Sequence, residues 1–278
     1  MSASAQERTP ARTGRGGVWV YGVVPAHAAL EELERRADRL PEVWVVDAGE
    51  LAAIAGPAPA DDEQGTRDQA LAHARVLEAA VVDAPVVPFR FGVVVDDAHD
   101  VGEDLLLAHH DELAPLLARV EGRVQMTIKA TYDEDRLLRE IVDAEPEIAR
   151  LRDAVRGRDD AASHAARVRL GELVNAAVEQ ARQRDGAAIL RRLQPVAVAA
   201  VAGPLEREAM VCNLPLLVER RAQRDFEAAV EALADEHAGR IRFRLLGPMP
   251  AYDFIDVADP GWEPDARRPA APRRRRAA

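Results

Sequence analysis

The sequence has one cysteine, few aromatic residues and no long apolar run. Because Cys212 stands alone, an internal disulfide and a cysteine-based zinc site are excluded. Aromatic residues make up 4% of the chain, so we expect cores built mainly from Val, Leu, Ala and Ile. No apolar run approaches the roughly 18 residues of a membrane span, and residues 1–17 lack the apolar centre of a secretory signal. These absences predict a cytoplasmic protein that does not enter the membrane.

Lysine is also nearly absent, and the charge is unevenly distributed. Lys129 is the only lysine, and the net charge is −11. From Asp265 onward there are six arginines and one aspartate, a balance of +5, so residues 1–264 carry −16. Such an acidic body would repel phosphate over most of its surface, which argues against nucleic acid as a partner.

The sequence contains no recognisable catalytic or cofactor-binding motif. The glycines of Gly14–Gly17 precede the first predicted strand, whereas a phosphate-binding loop follows one. His109 and His110 are adjacent on a predicted helix and point about 100° apart, so they cannot share a metal ion. Cys212 lies among apolar residues with no neighbouring base, which is typical of a small buried side chain. We therefore expect a protein that is not an enzyme and that uses no cofactor or metal.

The most distinctive stretch is Ala84–Val95, whose β-branched and aromatic residues predict a strand. Pro85 and Pro88 have no amide donor, so this strand is expected at an edge, a bulge or a bend. Gly92 permits a bend or a close backbone approach. Arg90, between two phenylalanines, either extends to the surface or is held by a carboxylate or an aromatic ring.

Residues 18–121 are predicted to form an N-terminal α+β domain of sheet and helices, after a disordered leader over residues 1–17. Thr66 is expected to cap its second helix and Pro115 to kink its third. The predicted strands cover 18–24, 43–46, 51–55 and 84–95, and the helices 26–40, 66–82 and 100–120. The inward face of the second helix is predicted to comprise Ala70, Leu71, Ala74, Leu77 and Val81.

Residues 122–257 are predicted to form a second α+β domain, followed by a disordered Pro/Arg-rich tail over residues 258–278. Its long helix is expected to end at Gly186. The predicted strands cover 123–132, 196–202, 210–219 and 240–246, and the helices 133–142, 147–155, 163–184, 187–193 and 223–237. This order is that of a split βαβ, ferredoxin-like sheet with helices inserted in its first crossover.

The last predicted strand leads into Gly247–Phe254, which we call the C-terminal segment. Its Gly-Pro-x-Pro start imposes an extended, rigid backbone. In an extended chain Tyr252 and Phe254 point to the same side and can bury against the body. The pattern predicts a segment that fixes the chain end to the body, and a role as a binding surface stays open.

Two of these stretches resemble signatures of the gas vesicle proteins of the GvpL/GvpF family. Pro88–Gly92 is similar to the family's P-x-R-F-G motif, and the C-terminal segment is similar to its G-P-W-P-P-Y-x-F ending. Tyr21–Val24, Gly122–Ala130 and Asn213–Val218 resemble its opening, central and late strands. The resemblance covers roughly residues 18–257 in the family's order and spacing.

The sequence departs from the family pattern in two places. Met249 and Ala251 replace an aromatic residue and a proline in the C-terminal segment, which affects any aromatic contact made there. Gln125 stands where glutamate is usual, which puts in question an ion pair between this position and Lys129.

The resemblance implies a non-enzymatic accessory or minor structural protein of gas vesicle formation. Its expected partners are the hydrophobic shell protein and other gas vesicle accessory proteins, on the gas vesicle and in the cytoplasm. It also implies two α+β domains, the second a modified ferredoxin fold with additional helices. The residues implied as signature or partner-contact positions are Pro88, Arg90, Phe91, Gly92, Lys129, Gly247, Pro248, Tyr252 and Phe254.

The alternative to a non-enzymatic accessory protein is an enzyme with a small-molecule pocket between the two domains. Small-molecule pockets are common between domains, and Arg90, Lys129 and Tyr132 could form an anion site there. This alternative requires that the three side chains converge.

Overall fold

The computed structural model describes residues 17–59, 65–157 and 161–255, without the side chains of residues 161 and 162. The predicted tail and all of the predicted leader except Gly17 lie outside these ranges. The protein is 50% helical and 24% strand, which confirms the α+β class. Its described residues form two compact units, one up to Glu121 together with those from Pro248 onward, and the other over Gly122–Gly247. The predicted second domain extended to residue 257, whereas the structure places the chain from Pro248 in the first unit.

The first unit is a sheet covered by helices. Its strands are β1 (Val18–Pro25), β2 (Trp44–Ala48), β3 (Leu51–Pro57), β4 (Val87–Pro88) and β5 (Val94–Val95). Its helices are α1 (Glu31–Arg35), α2 (Arg67–Asp83), α3 (Ala98–Asp100), which continues as a π-helix over Val101–Leu107, and α4 (His110–Val120). The sheet order is β2-β3-β1-β4, and β5 also pairs with β1.

Strand β1 is the centre of this sheet because nearly all of its residues are apolar and buried. It runs antiparallel to β3, with Val18 opposite Pro57 and Pro25 opposite Leu51. On its other side it pairs with β4 and β5, again antiparallel. One strand thus holds three other segments of the chain.

The prediction of one continuous strand over Ala84–Val95 is wrong. Only β4 and β5 pair with β1, and the chain leaves the sheet between them. Gly92 has a φ of +95°, a left-handed conformation that L side chains rarely adopt. Pro88 lies in β4 at the sheet edge, as the sequence predicted. Its missing amide therefore removes no hydrogen bond between strands.

The helices of the first unit depart from prediction in their extent and facing. Helix α1 is five residues long and begins late, because the Asp83 carboxylate at the end of α2 accepts the amide of Glu32 at 2.6 Å. The predicted third helix is interrupted at Ala108–His109 and not at Pro115.

Helix α2 begins at the predicted cap, where Thr66 and Gln69 form a capping box. Its predicted face was right for Leu77 and Val81, which are buried, and wrong for Leu71, which is 45% exposed. The buried positions of α2 are His73, Val76, Leu77, Ala79, Ala80 and Val81.

The second unit contains the predicted β-α-β-β-α-β order, with three helices in the first crossover. The strands are β6 (Arg123–Tyr132), β7 (Ala199–Ala200), β8 (Met210–Glu219) and β9 (Ile241–Met249), in the sheet order β7-β8-β6-β9. The helices are α5 (Glu134–Ala144), α6 (Pro146–Val155), α7 (Ala161–Leu193) and α8 (Gln223–Glu236).

Gly186 does not end the long helix, because α7 runs unbroken to Leu193. Glycine inside a helix costs about 1 kcal/mol relative to alanine. Ile189 and Leu193, beyond the glycine, are fully buried, and each such burial contributes about 1.5–3 kcal/mol. Packing of the last turns therefore outweighs the local helix-breaking tendency.

Cys212 lies in β8 and is 7% exposed, which confirms the predicted burial. Burial raises the pKa of its thiol to about 12. The thiolate, the nucleophilic form, is therefore disfavoured in the folded protein.

Candidate functional site

The family-like motif Pro88–Gly92 forms a turn at the edge of the first sheet, which we call the signature turn. Phe89 is buried, and its amide donates to the Tyr21 carbonyl of β1 at 2.9 Å. The next two side chains, Arg90 and Phe91, are exposed. The turn thus presents a cation and an aromatic ring from a backbone fixed on the sheet.

Four rings cluster behind this turn, and we call them the aromatic cluster: Trp19, Tyr21, His73 and Phe91. Trp19 and Phe91 meet edge to face with their centroids 5.1 Å apart. His73 lies 5.2 Å from Tyr21 and 5.8 Å from Phe91 between ring centroids. Edge-to-face pairs at such distances stabilise beyond their buried area, so the cluster holds the Phe91 ring in place at the surface.

His73 connects helix α2 to the signature turn. Its Nε2 lies 3.2 Å from the Phe89 carbonyl oxygen, which can only accept, so Nε2 carries the proton. Burial lowers the pKa of His73, an effect partly offset by this hydrogen bond. Within the described residues, His73 Nδ1 and Trp19 Nε1 are buried without a hydrogen-bond partner. The neutral ring is therefore the form that the aromatic cluster accommodates.

Lys129 has a carboxylate partner that the sequence did not identify. Its Nζ lies 2.6 Å from Glu206 Oε1, and the hydrogen bond from Lys129 is the main cause that lowers the pKa of Glu206. Gln125, which stands where the family has glutamate, donates to Thr127 at 3.2 Å instead.

The proposed anion site of Arg90, Lys129 and Tyr132 is not formed. Lys129 and Tyr132 are three residues apart on β6, so they project from opposite faces of the strand. The Tyr132 hydroxyl donates to the Asp185 carboxylate at 2.7 Å, and burial and this bond raise its pKa. Because Lys129 and Tyr132 are already engaged with acidic partners on different faces, this version of the enzyme alternative is wrong.

Tyr132 belongs instead to an ion network that joins elements of the second unit. Arg240 donates to Asp185 and to Glu140, each at 2.7 Å. Its guanidinium also lies 5.5 Å from the Tyr132 ring centroid. The network holds the start of β9 to α5, α7 and the end of β6, a structural role.

Gly247 begins the C-terminal segment at a position that requires glycine. Its φ is +123°, and a Cβ atom there would lie 2.8 Å from the Gln125 carbonyl oxygen. Any side chain would therefore push β9 away from β6.

The C-terminal segment does not stay extended as predicted. The amides of Phe254 and Ile255 donate to the Ala251 carbonyl at 3.0 and 3.1 Å, which makes a turn. Phe254 is buried at 6% exposure, together with Ala251 and Ile255. Tyr252 points elsewhere and is 40% exposed, because residues in such a turn share a face at spacings of three or four.

Tyr252 is close enough to helix α2 for the charge of Glu78 to affect its hydroxyl, although the residue is 40% exposed. Burial, and then the charge of Glu78 on α2, raise its pKa. The C-terminal segment therefore packs against the first unit, as predicted, with Phe254 as its anchor.

Two further observations concern metal ligands and membrane-spanning helices. Among the described residues, no group of three or more His, Cys, Asp or Glu side chains is arranged to hold a metal ion. Over the same ranges, no helix combines the length and apolar character needed to cross a bilayer.

The sequence matches the family described as "Gas vesicle synthesis protein GvpL/GvpF" over residues 17–256. The chain belongs to this family. It is 32% identical over 246 residues to gas vesicle protein F of Streptomyces sp. (strain CB03234). The match covers 86% of this chain and 99% of that protein. It is 24% identical to gas vesicle protein F of Dolichospermum flosaquae, over 86% of this chain and 98% of that protein.

The fold is that of solved members of the GvpL/GvpF family. The crystal structure of GvpF from Anabaena sp. PCC7120 superposes with a TM-score of 0.70 at 19% identity, over 85% of this chain and 97% of that one. The crystal structure of GvpF from Microcystis aeruginosa superposes with a TM-score of 0.65 at 20% identity, over 86% of this chain and 98% of that one. The likeness extends along nearly the whole of both solved chains.

Two features of this family member were not predicted from the sequence. His73 has the same helical spacing as Val76 and Leu77, a signal that could have placed it in the core. The partners of Tyr132 and Lys129, Asp185 and Glu206, are far away in the chain, and nothing local marks them.

We predict that His73 makes the protein sensitive to acid. Its folded-state pKa lies below the ordinary value of about 6.5. The unfolded chain therefore binds a proton that the folded chain does not, and stability falls as the pH drops below about 6.5. Urea unfolding at about pH 7 and pH 5 should show a smaller loss for His73→Gln than for the unchanged protein. His27→Gln, at an exposed position, is the control, and equal losses in all three proteins would contradict the role of His73.

We also predict that Phe254 anchors the C-terminal segment. Removing a ring that is 6% exposed should lower the free energy of unfolding by about 1.5–3 kcal/mol in Phe254→Ala. Tyr252→Ala, at a residue that is 40% exposed, should have a smaller effect in the same thermal or urea melts. If Phe254→Ala is as stable as the unchanged protein but loses partner binding, the segment is a contact surface and not an anchor.

Proposed function

We propose that this protein binds the hydrophobic shell protein of gas vesicles during assembly, as an accessory or minor structural component in the cytoplasm and on the vesicle. Membership of the GvpL/GvpF family supports a role in gas vesicles. The family is described by gas vesicle synthesis and not by an enzymatic activity, which supports a role without catalysis.

The observation that carries the proposal is the exposed ring of Phe91 on a fixed turn. Phe91 is 37% exposed, while Phe89, two residues earlier, is 2% exposed. A preorganised turn loses little conformational entropy on binding. Aromatic and arginine side chains supply much of the energy at protein interfaces, and Arg90 and Phe91 present both.

The candidate contact residues divide into two groups on this proposal. Arg90 and Phe91 touch the partner, and Tyr252 offers a second partly exposed ring. The others shape or hold these surfaces: Pro88 and Gly92 set the signature turn, and Gly247, Pro248 and Phe254 fix the C-terminal segment. Lys129 acts through its ion pair with Glu206.

The remaining partners follow from charge and family. Other gas vesicle accessory proteins are proposed as further partners. Nucleic acid is not, because residues 1–264 carry a charge of −16, and neither is a membrane.

We expect Phe91→Ala to weaken binding of the shell protein about tenfold or more, because aromatic anchors commonly contribute over 1.4 kcal/mol. The measurement is the amount of co-expressed shell protein that the tagged protein captures. Leu71→Ala is the matched control, since Leu71 is also an exposed apolar residue of the first unit, at 45% exposure. Equal capture by Phe91→Ala and Leu71→Ala would remove the signature turn from the interface.

A further inference from the structure

One edge of the second sheet is both apolar and uncharged. Leu193–Leu205 contains no charged residue, although 31% of the chain is charged. Within this run, Val198 is 46% exposed, Val201 40% and Leu205 45%. Strand β7 lies here at the end of the sheet order β7-β8-β6-β9. We call Ala197–Gly203 the β7 edge.

The other sheet edges in the described part of the chain carry features that discourage strand addition. The opposite edge strand of this sheet, β9, has exposed arginines at 242 and 244. In the first sheet, the edge strand β2 has an exposed aspartate at 47, β4 contains Pro88, and β5 is followed directly by the exposed Asp96 and Asp97. Charges and prolines at edges are the usual protection against pairing with another chain. The β7 edge has neither.

The backbone of the β7 edge is bonded on one side only. The amides of Val198, Val201 and Gly203 donate to carbonyls of β8 at 2.7, 3.0 and 2.8 Å. Because inward and outward groups alternate along a strand, the amide and carbonyl of Ala202 face away from β8. Ala202 is itself exposed, so its backbone can pair with an added strand.

Proline in the neighbouring strand weakens the attachment of this edge. The Val201 amide donates to the carbonyl of Pro215, but Pro215 has no amide to donate in return. This gap explains why regular pairing in β7 is limited to Ala199–Ala200 and not the predicted 196–202. The edge is therefore extended and accessible without being a fully paired strand.

We propose that the β7 edge binds an extended, uncharged apolar segment of the shell protein as an additional strand of the sheet. The identity of the partner rests on the function proposed above, whereas the location and mode of binding rest on the edge itself. Main-chain hydrogen bonds at Ala202 set the register, and Val198 and Val201 supply apolar contact.

Charge favours this occupant over a second copy of the chain. Pairing two β7 edges would bring together two bodies that each carry −16 over residues 1–264, and like charges repel. An uncharged segment brings no such repulsion. A charged side chain against Val198 or Val201 would lose water without gaining a partner, which is unfavourable.

The test combines a substitution that removes the outward amide, a control that keeps this amide and a substitution that adds a charge to the edge. Ala202→Pro removes the outward donor and none of the hydrogen bonds to β8, and proline is tolerated at such edge positions. Ala202→Thr keeps the donor and is the matched control. Val201→Lys places a charge on the edge at a side chain that is already 40% exposed. Thermal melts establish that all three variants fold.

We expect the unchanged protein and Ala202→Thr to capture the co-expressed shell protein equally. Ala202→Pro and Val201→Lys should capture about tenfold less, the effect of losing one interfacial hydrogen bond or of burying one charge. Hydrogen exchange on the complex should show new protection of the Ala202 amide.

Three results would overturn the inference in distinguishable ways. If the unchanged protein and all variants capture the shell protein equally, the partner binds elsewhere and the proposed function stands. If light scattering shows a dimer that Ala202→Pro converts to a monomer, a second copy occupies the edge. If even the unchanged protein captures none, the proposed function fails, and with it the partner named for the edge.

Discussion

The burial of strand β1 is the constraint on which the first unit depends. Its apolar residues must be enclosed on both faces, so the strand lies in the middle of the sheet and pairs with three other segments. The chain that supplies β4 and β5 must pair with β1 twice within a few residues. It does so by leaving the sheet at the signature turn, where Gly92 allows the reversal. The exposure of Arg90 and Phe91 is thus a consequence of how β1 is enclosed.

Strand β8 is the buried interior strand of the second unit, as β1 is of the first, but one of its two neighbours is only partly paired with it. It is buried along nearly its whole length and pairs antiparallel with β6 over nine positions. On its other side Pro215 interrupts the ladder, so β7 is only partly paired. Proline is unusual in a central strand, and here its effect is to leave an apolar edge exposed. In both units, a surface suited to a hydrophobic partner lies beside a buried central strand.

Much of this architecture follows from periodicity in the sequence. Alternation of apolar residues predicts β6 and β9, and the cap residue Thr66 predicts a helix start that the structure confirms. The errors arise where tertiary contacts override local signals. Gly186 fails to stop α7 because Ile189 and Leu193 are buried beyond it, and Ala84–Val95 is not one strand because Gly92 turns it out of the sheet.

The candidate sites were less predictable than the fold. Arg90 and Phe91 could be identified by resemblance to the family motif, but only the structure shows which of them is anchored by His73 and Trp19. The β7 edge could not be recognised from the sequence, because an uncharged apolar run reads equally well as a buried central strand. Its exposure depends on the strand order, which brings β8 and not β7 to the interior.

The central claim is that this protein is needed for gas vesicle assembly, and deletion of its gene in a vesicle-forming host tests it most directly. Electron microscopy of the deletion strain should show few vesicles or misshapen ones, and the unchanged gene should restore them. Normal vesicle number and shape in the deletion strain would contradict the account.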